Sequence, residues 1–313
     1  MDVIVFGSLN MDLVAQVARL PLPGETISGQ SFATVPGGKG ANQAVAAARQ
    51  GVQTAMVGRV GADGFGEVLR DRLQAERIDV EAIALSNAPS GTALIAVAPD
   101  NNQIIVVPGA NGEVDDSDLE RLTPYLAEAK VLLLQFEIPL PVVQKAAMLA
   151  REAGLTVIVD PAPAQGPLTS AFCQHISILT PNQTEAAALT GQAVEDVEGA
   201  IAAAQVLQRQ GVEVVIIKLG ASGCVCATEE GVFTVPAFPV QVVDTVAAGD
   251  AFNGGLAAAL CHQSKESGGG QYPLKLAIRS ASAVAALAVT QAGAQEAMPI
   301  KTDVETFLEN HRL

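Results

Sequence analysis

The chain has 313 residues, of which 49% are hydrophobic and 4% aromatic, and its formal net charge is −15. This apolar share supports a large buried core and excludes a disordered chain. The acidic balance and the scarcity of aromatic rings argue against a nucleic-acid surface, which needs clustered lysine and arginine. The length fits one large α/β domain or two small ones.

The N-terminal residues, the apolar stretches and the cysteines lead us to expect a cytoplasmic protein that does not cross a membrane. The N-terminus MDVIVFGSLN has an acid at position 2 and only a short apolar run, so it predicts a strand rather than a signal peptide. Residues 280–290 are about half the length needed to span a bilayer and predict a buried helix. The cysteines form no CxxC pair, and we expect reduced core thiols at Cys173, Cys224, Cys226 and Cys261.

Short apolar segments bounded by turn residues recur along the chain. They predict parallel strands covered on both faces, at 3–7, 54–58, 131–136, 155–160, 176–180 and 212–220. Helical patterns lie between them, at 41–50, 64–76, 116–128, 140–153, 200–210 and 250–262. Asp63 and Asp115 are placed to cap two of these helices. The alternation predicts a βαβ sheet with right-handed crossovers.

Two segments break this alternation. Residues 11–35 contain strand-like residues around LPLPGE and no helical pattern, and residues 90–107 read as two strands joined by a PDNN turn. Together they predict a small antiparallel sheet inserted in two pieces, which is either an edge hairpin or a lid. Residues 264–272 (SKESGGGQY) are polar and glycine-rich, and we expect a loop without a functional role.

Small residues precede a helix in GGKGANQA (37–44). They would let backbone N–H groups approach a polar ligand, with Lys39 as a donor and Asn42 in the first helical turn. A simple tight turn before a helix is the alternative. Asn10 and Asp12 follow the first strand, at the edge where parallel sheets bind ligands. These two side chains can hydrogen-bond vicinal hydroxyls of a sugar, or they form an Asx turn. Glu137, past another strand, is either a hydroxyl acceptor or a surface acid.

Three further stretches are ambiguous between structure and chemistry. In TPNQTEAAAL, Asn182 and Glu185 form a helix-capping pattern, or lie near phosphates and hydrated Mg²⁺. Gly220 and Gly223 in KLGASGC mark a turn that can pack against a nucleotide.

In DTVAAGDAFNGG (244–255), Ala247, Ala248 and Gly249 would expose N–H groups at a helix start and form an anion hole. Asp250 is then a cap, or the group that orients a hydroxyl and accepts its proton in phosphoryl transfer.

GGKGANQA and DTVAAGDAFNGG resemble the two signature motifs of the ribokinase-like (PfkB) carbohydrate kinases. GSLNMD, LPLPGE, DPAPA (160–164) and TPNQTEA add to a resemblance that runs over essentially the whole chain. The resemblance implies a single domain, 1–313, with a Rossmann-like three-layer α/β sandwich around a mostly parallel sheet. It also implies a small β lid, formed by about 11–36 and 89–109, through which such proteins often form homodimers.

The resemblance also implies roles for individual residues. Asp250 matches the catalytic base, and Ala247, Ala248 and Gly249 match the anion hole. The pentose would be held by Asn10, Asp12, Gly38, Lys39, Asn42 and Glu137. The nucleotide would be held by Asn182, Glu185, Lys218, Gly220, Gly223 and Gly249, with Glu185 linked to Mg²⁺. An activating K⁺ would be held, mostly through carbonyls, by Asp244, Val246, Ala288, Gln291, Gly293 and Ala297.

Two positions depart from the family pattern. Ser282 stands where some members carry a histidine near the adenine, and Lys218 occupies a position often held by threonine.

From the resemblance we expect ATP-dependent phosphorylation of D-ribose at its 5-hydroxyl. A kinase of the same fold for deoxyribose, fructose, a sugar phosphate or a nucleoside such as adenosine is the close alternative. Two other classes are less favoured. A non-catalytic sugar-binding regulator should have lost Gly249 or Asp250, and a NAD-dependent dehydrogenase lacks its GxGxxG after the first strand.

Overall fold

The computed structural model describes residues 1–99, 101–263 and 271–311. Its strands are β1 (Val3–Phe6), β2 (Asn10–Val17), β3 (Gly29–Gly37), β4 (Thr54–Gly61), β5 (Ile83–Ser86), β6 (Gly91–Ala98), β7 (Asn101–Val107), β8 (Val131–Gln135), β9 (Thr156–Asp160), β10 (Ile178–Leu179), β11 (Val214–Lys218), β12 (Cys224–Thr228) and β13 (Gly231–Val235). Its helices are α1 (Lys39–Arg49), α2 (Gly64–Ala75), α3 (Asp116–Leu126), α4 (Leu140–Glu152), α5 (Ser170–Cys173), α6 (Gln183–Thr190), α7 (Val197–Arg209), α8 (Ala248–Gln263), α9 (Gln271–Ala288) and α10 (Lys301–Asn310). Two short 3₁₀ helices span Gly109–Glu113 and Gly220–Ser222.

The larger sheet has the strand order β13-β12-β11-β10-β9-β8-β1-β4-β5. Neighbouring strands from β11 to β5 run parallel, and β12 and β13 add an antiparallel edge. The predicted mostly parallel sheet is therefore confirmed. The sequence analysis did not predict β5, β12 or β13.

Side chains that alternate along the strands divide between two buried clusters. Val3 and Val5 of β1 pack on one face with α1, α8 and α9, whereas Ile4 and Phe6 pack on the other with α3, α4 and α7. This two-residue period places apolar side chains on both faces of each strand. The result is the expected three-layer sandwich, with the helices covering both faces of the sheet.

Local capping signals set most helix starts. Asp63 accepts from the Gly66 N–H and Asp115 from the Ser117 N–H, as predicted for α2 and α3. Helix α7 begins three residues before the predicted start, at Val197, because the Asp196 side chain caps it there. The predicted strand at 176–180 is regular only over Ile178–Leu179.

A second sheet has the strand order β3-β2-β6-β7. The pairs β2–β3 and β6–β7 are antiparallel, as predicted, and a parallel pairing of β2 with β6 joins them. Of the loop expected at 264–272, residues 264–270 lie outside the described residues, and α9 begins at Gln271.

The cysteines and the apolar helix follow the sequence expectation. All four cysteines are buried free thiols, and Cys224 and Cys226 face the same core cluster. Residues 280–288 form the buried C-terminal half of α9, where Ala281 and Val284 are fully covered. Within the described parts of the chain, none of the helices has both the length and the apolar character needed to traverse a bilayer.

Candidate active site

Asp250, the third residue of α8, lies at the centre of the candidate site and is 4% exposed. Its Oδ2 accepts a hydrogen bond from the Asn42 side-chain amide at 3.0 Å, and its Oδ1 accepts from the Gln43 amide at 3.1 Å. Burial raises the pKa of Asp250, whereas the positive charge of Lys39 opposes the rise. The carboxylate therefore bonds across to α1 and does not serve as a simple cap of its own helix.

Close packing of α1 against α8 brings these groups together. A Cβ added to Gly254 would lie 2.5 Å from the Ala46 Cβ and 2.6 Å from the Gln43 carbonyl oxygen. Any side chain at this position would force the two helices apart. The glycine in GDAFNGG thus permits the contact that sets Asn42 and Gln43 on Asp250.

Gln43 extends this network into the sheet. Its Nε2 also donates to the Asp160 Oδ2 at 3.1 Å, and its Oε1 accepts from the Gln135 Nε2 at 2.7 Å. The Asp160 Oδ1 in turn lies 3.1 Å from the Lys218 ammonium. The sequence analysis did not identify Gln43 or Gln135 as site residues. The available signal was a glutamine on the otherwise apolar strand β8.

Two acids at the ends of strands form the side of the site next to the second sheet. The Glu137 Oε2 accepts from the Ser8 hydroxyl at 2.5 Å and from the Lys39 backbone N–H at 3.1 Å. Asp12 lies on β2, half-buried. Burial raises its pKa to about 7, and the negative charges of Glu137 and Asp250 add to the rise. Three carboxylates therefore share one region of low solvation.

Asn10 is held by a residue that the sequence analysis missed. The buried Asn111, in the 3₁₀ helix after β7, donates from Nδ2 to the Asn10 Oδ1 at 2.8 Å. It also exchanges hydrogen bonds of 3.0 Å with the Leu9 N–H and carbonyl. Gly38, the residue before α1, approaches the same strand end, since an added Cβ would lie 2.7 Å from the Asn10 nitrogen.

Lys39 supplies positive charge to this acidic region. Burial alone would lower its pKa, but the carboxylates of Asp250, Asp160, Glu137 and Glu185 outweigh that effect and raise the pKa. Lys39 therefore stays protonated at neutral pH.

The start of α8 offers unpaired donors beside Asp250. Ala247 has a left-handed φ of 57°, and its carbonyl accepts from the Ala251 N–H at 2.8 Å. The Ala248 N–H makes a long 3.3 Å bond to the Thr245 carbonyl. In the parts of the chain that the structure describes, the N–H groups of Gly249 and Asp250 have no acceptor. Such a helix start attracts an anion.

The residues assigned to the nucleotide divide into three groups. Asn182 caps α6 in a reciprocal capping box with Glu185, whose pKa is raised by burial and by the Asp160 charge. Asn182 also forms a β-bridge with Lys218. Gly220 and Gly223 flank the 3₁₀ turn that follows, and the space where a Gly220 Cβ would stand is open. The Ser282 hydroxyl donates to the Ile278 carbonyl within α9.

Asp244 joins two of the segments expected to hold K⁺. Its carboxylate accepts from the Val246 and Gly293 N–H groups, each at 3.0 Å. The Ala288 carbonyl instead accepts from the Gln291 N–H at 3.2 Å, in the turn after α9. Ala297 is buried. Among the described residues, no hydrogen bond joins it to the other residues expected to hold K⁺.

The structure therefore brings Asp12, Lys39, Asn42, Glu137 and Asp250 into one electrostatic cluster. Lys218 and Glu185 meet it through Asp160, and Gly249 borders it. Asp244 and the turn after α9 form a separate group. Chemically, a buried carboxylate, adjacent free N–H donors and two lysines can hold a hydroxyl against a phosphoryl group.

The sequence profile described as pfkB family carbohydrate kinase matches residues 1–301 of the chain. The ribokinase of Haemophilus influenzae is 39% identical over 308 residues, covering 98% of each chain. The deoxyribokinase of Salmonella typhi is 34% identical over 313 residues, covering 99% of this chain and 98% of its own.

Among solved structures, the ribokinase of Arabidopsis thaliana complexed with ribose and ATP matches with a TM-score of 0.88. It is 33% identical, and the match covers 98% of each chain.

Proposed function

This chain belongs to the pfkB family of carbohydrate kinases, and on that premise we propose that it phosphorylates D-ribose at O5 with ATP. The products are D-ribose 5-phosphate and ADP. The observation that carries the proposal is the placement of the buried Asp250 carboxylate directly beside the free N–H groups at the start of α8. The family relationship removes the dehydrogenase alternative.

In this reaction Asp250 is the general base. It orients the 5-hydroxyl and accepts its proton as the oxygen attacks the γ-phosphorus. The new O5–P bond forms while the bond between the γ-phosphorus and the β–γ bridging oxygen breaks, and ADP leaves with that electron pair. The raised pKa of Asp250, caused by burial, makes the carboxylate a better proton acceptor, while Asn42 and Gln43 keep it aimed.

The backbone of Ala247, Ala248 and Gly249 forms the anion hole for the transferred group. Free N–H groups at a helix start carry partial positive charge and need no reorganisation when charge develops. Ala247 has a left-handed φ of 57° at the entry to α8, and beyond it the N–H groups of Gly249 and Asp250 have no acceptor among the described residues.

The sugar is held by polar groups at the ends of β1, β2 and β8. Asn10, Asp12 and Glu137 accept from or donate to its hydroxyls, and Gly38, Lys39 and Asn42 close the other side. Asn111 donates to the Asn10 Oδ1 and so fixes the orientation of the Asn10 amide. The N–H groups of the Asn10 amide can then donate to the sugar. This polar set suits an unphosphorylated pentose better than an anionic sugar phosphate.

The nucleotide is held by Asn182, Glu185, Lys218 and the turn containing Gly220 and Gly223, with Ser282 near the adenine. No group of three acidic, histidine or cysteine side chains that could bind a metal by themselves occurs among the described residues. Mg²⁺ typically uses one or two carboxylates with phosphates and water, and the Glu185 carboxylate fits that donor set. The ion neutralises phosphate charge.

Potassium is the proposed activator, held next to the start of α8. Asp244 would supply a carboxylate oxygen, and Val246, Ala288, Gln291, Gly293 and Ala297 would supply mostly carbonyls. The supporting feature is that Asp244 already ties the segment before α8 to Gly293. Ordering of this segment would position the anion hole.

The second sheet acts as the lid, over about 11–36 and 89–109, within a single domain. Its strand β2 carries Asn10 and Asp12, and Asn111 follows its last strand, so sugar binding and lid position are linked. Closure would exclude water and limit ATP hydrolysis.

The lid is also the proposed dimer contact, in a cytoplasmic enzyme. Every residue of the edge strand β7 is exposed, including Ile104, Ile105, Val106 and Val107, and Phe32 on β3 is 66% exposed. An uncovered apolar edge strand promotes self-association. A second copy of this chain would cover it.

The direct test is a coupled ADP-release assay with ribose, deoxyribose, fructose and adenosine, each with and without K⁺. Ribose is expected to give the highest kcat/KM, with K⁺ stimulating turnover. Turnover on adenosine with none on ribose would overturn the substrate assignment. Deoxyribose is the nearest alternative because deoxyribokinases occur among the relatives of this chain.

Replacing Asp250 by asparagine tests the base. Asp250→Asn keeps the size of the side chain, so we expect an intact fold and retained ligand binding with kcat lowered roughly 10²- to 10⁴-fold. Wild-type turnover in this variant would remove Asp250 from the proton-transfer role.

A further inference from the structure

Lys218 is a cation that ends strand β11 at the edge of the site. Its ammonium lies 3.1 Å from the Asp160 Oδ1, and its side chain is 16% exposed while that of Asp160 is 2% exposed. Asp160 is its one hydrogen-bond partner among the described residues, so the ammonium keeps two further N–H donors.

The same ammonium borders the start of α8. A Cβ built on Gly249 would lie 3.2 Å from the Lys218 Nζ. The Gly249 Cα also carries the Gly249 backbone N–H, which belongs to the anion hole. The Lys218 ammonium and the anion hole therefore lie next to the same small volume. The bare glycine leaves this volume open.

Asp160 does more than neutralise the lysine. Its second oxygen accepts from Gln43 Nε2, which also donates to Asp250. The cation at the hole and the base are therefore fixed to one rigid, buried network, with Gln135 locking the amide orientation of Gln43.

We propose that Lys218 is a catalytic residue that contacts the transferred phosphoryl group, with Asp160 positioning it. This inference rests on the proposed kinase function and deepens it. As O5–P bond formation and P–O bond cleavage proceed, the equatorial phosphoryl oxygens carry the charge. A lysine donor beside the backbone N–H groups stabilises them in the transition state.

The alternative is that Lys218 only neutralises the buried Asp160. The two roles differ in which nucleotide senses the lysine. A contact to the transferred group affects a nucleotide with a γ-phosphate and not ADP, whereas charge neutralisation affects both equally.

Binding of two nucleotides tests this without the sugar. Titration calorimetry with Mg²⁺ compares ADP with adenylyl imidodiphosphate in wild type, Lys218→Met and Lys218→Arg. We expect Lys218→Met to weaken the triphosphate analogue roughly 10- to 100-fold, the loss of one charge-assisted hydrogen bond, and ADP by less than about 2-fold. Arginine should restore part of the difference. Equal loss for both nucleotides, or no loss, would overturn the proposal even if ribose proves not to be the acceptor.

Kinetics with ribose supply the second arm. We expect kcat of Lys218→Met to fall roughly 10²- to 10³-fold with little change in KM for ribose. Lys145→Met is the matched control, because Lys145 pairs with Asp116 on the exposed surface of α4. If wild type releases no ADP with ribose, the proposed function fails, while the nucleotide-binding arm still decides the role of Lys218.

The double variant Lys218→Met/Asp160→Asn separates contact from neutralisation. The asparagine keeps an oxygen that can accept from the Lys218 ammonium, so if Lys218 touches the phosphoryl group, the double variant remains roughly 10-fold or more slower than Asp160→Asn alone. Equal kcat values for these two variants would show that neutralisation of Asp160 was the only role, and would overturn the proposal. Thermal melts of each variant check that the fold is intact.

Discussion

Asp12→Asn is predicted to make the protein more stable while weakening the sugar site. The carboxyl of Asp12 has its pKa raised from 3.8 to about 7, by burial first and then by the charges of Glu137 and Asp250. In the unfolded chain the same group ionises near its ordinary value. Folding therefore opposes the ionisation of Asp12, and an asparagine removes that cost.

The sign and size follow from proton linkage. Because the folded-state pKa is the higher one, the folded protein binds more protons than the unfolded chain between about pH 4 and pH 7, and stability falls over this range. A shift of about 3 pKa units at ~1.4 kcal/mol per unit gives an upper bound of about 4 kcal/mol above pH 7. Between pH 5 and pH 8 the gap in unfolding free energy between variant and wild type should widen by up to about 2.6 kcal/mol.

Urea unfolding at half-unit steps from pH 5 to pH 8 measures this gap. Asp71→Asn, the same substitution at an exposed position on α2, serves as the control and should run parallel to wild type. A parallel curve for Asp12→Asn as well would refute the claim that burial and the neighbouring carboxylates raise the pKa of Asp12. The variant should also raise KM for ribose, since it loses a hydroxyl acceptor.

Three further predictions follow from single contacts. Gly249→Ala should lower kcat at least about 10-fold, because the new Cβ would press on the Lys218 ammonium. The same substitution should raise the stability of the protein by about 0.5–1 kcal/mol, because alanine has the higher helix propensity. Steady-state kinetics measures the first effect and a thermal melt measures the second. Asn111→Ala should lower the free energy of unfolding by about 2–4 kcal/mol, because Leu9 and Asn10 lose buried hydrogen-bond partners. It should also raise KM for ribose, and an unchanged KM would contradict the positioning role of Asn111. Ile105→Lys should be monomeric in sedimentation velocity at concentrations where the wild-type protein is dimeric. If the wild-type protein is itself monomeric at every concentration, the proposed dimer contact through the lid is refuted.

Much of the fold could be predicted because its signals are local. The apolar segment at 3–7 shows its character within five residues, and Asp63 and Asp115 contact N–H groups two or three positions away. In the second sheet, β6 and β7 are likewise close neighbours in the chain, since β6 ends at Ala98 and β7 begins at Asn101. Strand order is different, since β1 pairs with β4 and β8 across long stretches of chain.

The candidate site was predicted in part, through motifs rather than contacts. Asp250, Lys39 and Glu137 were identified by their place at strand ends and helix starts, and the structure gathers them. Asn111 and Gln43 were missed because an asparagine after a strand or a glutamine in an alanine-rich helix has no distinctive local pattern. Their significance depends on partners 101 and 207 positions away.

The sequence by itself determined the alternation of strands and helices, the capped helix starts and the small-residue turn before Asp250. Only the tertiary structure decided that Asp250 bonds to Asn42 and Gln43 and that Lys218 reaches the start of α8. The physical reason is range. Propensity, capping and periodicity act between near neighbours, whereas a buried carboxylate takes its partners from whichever helices and strands the packed core sets beside it.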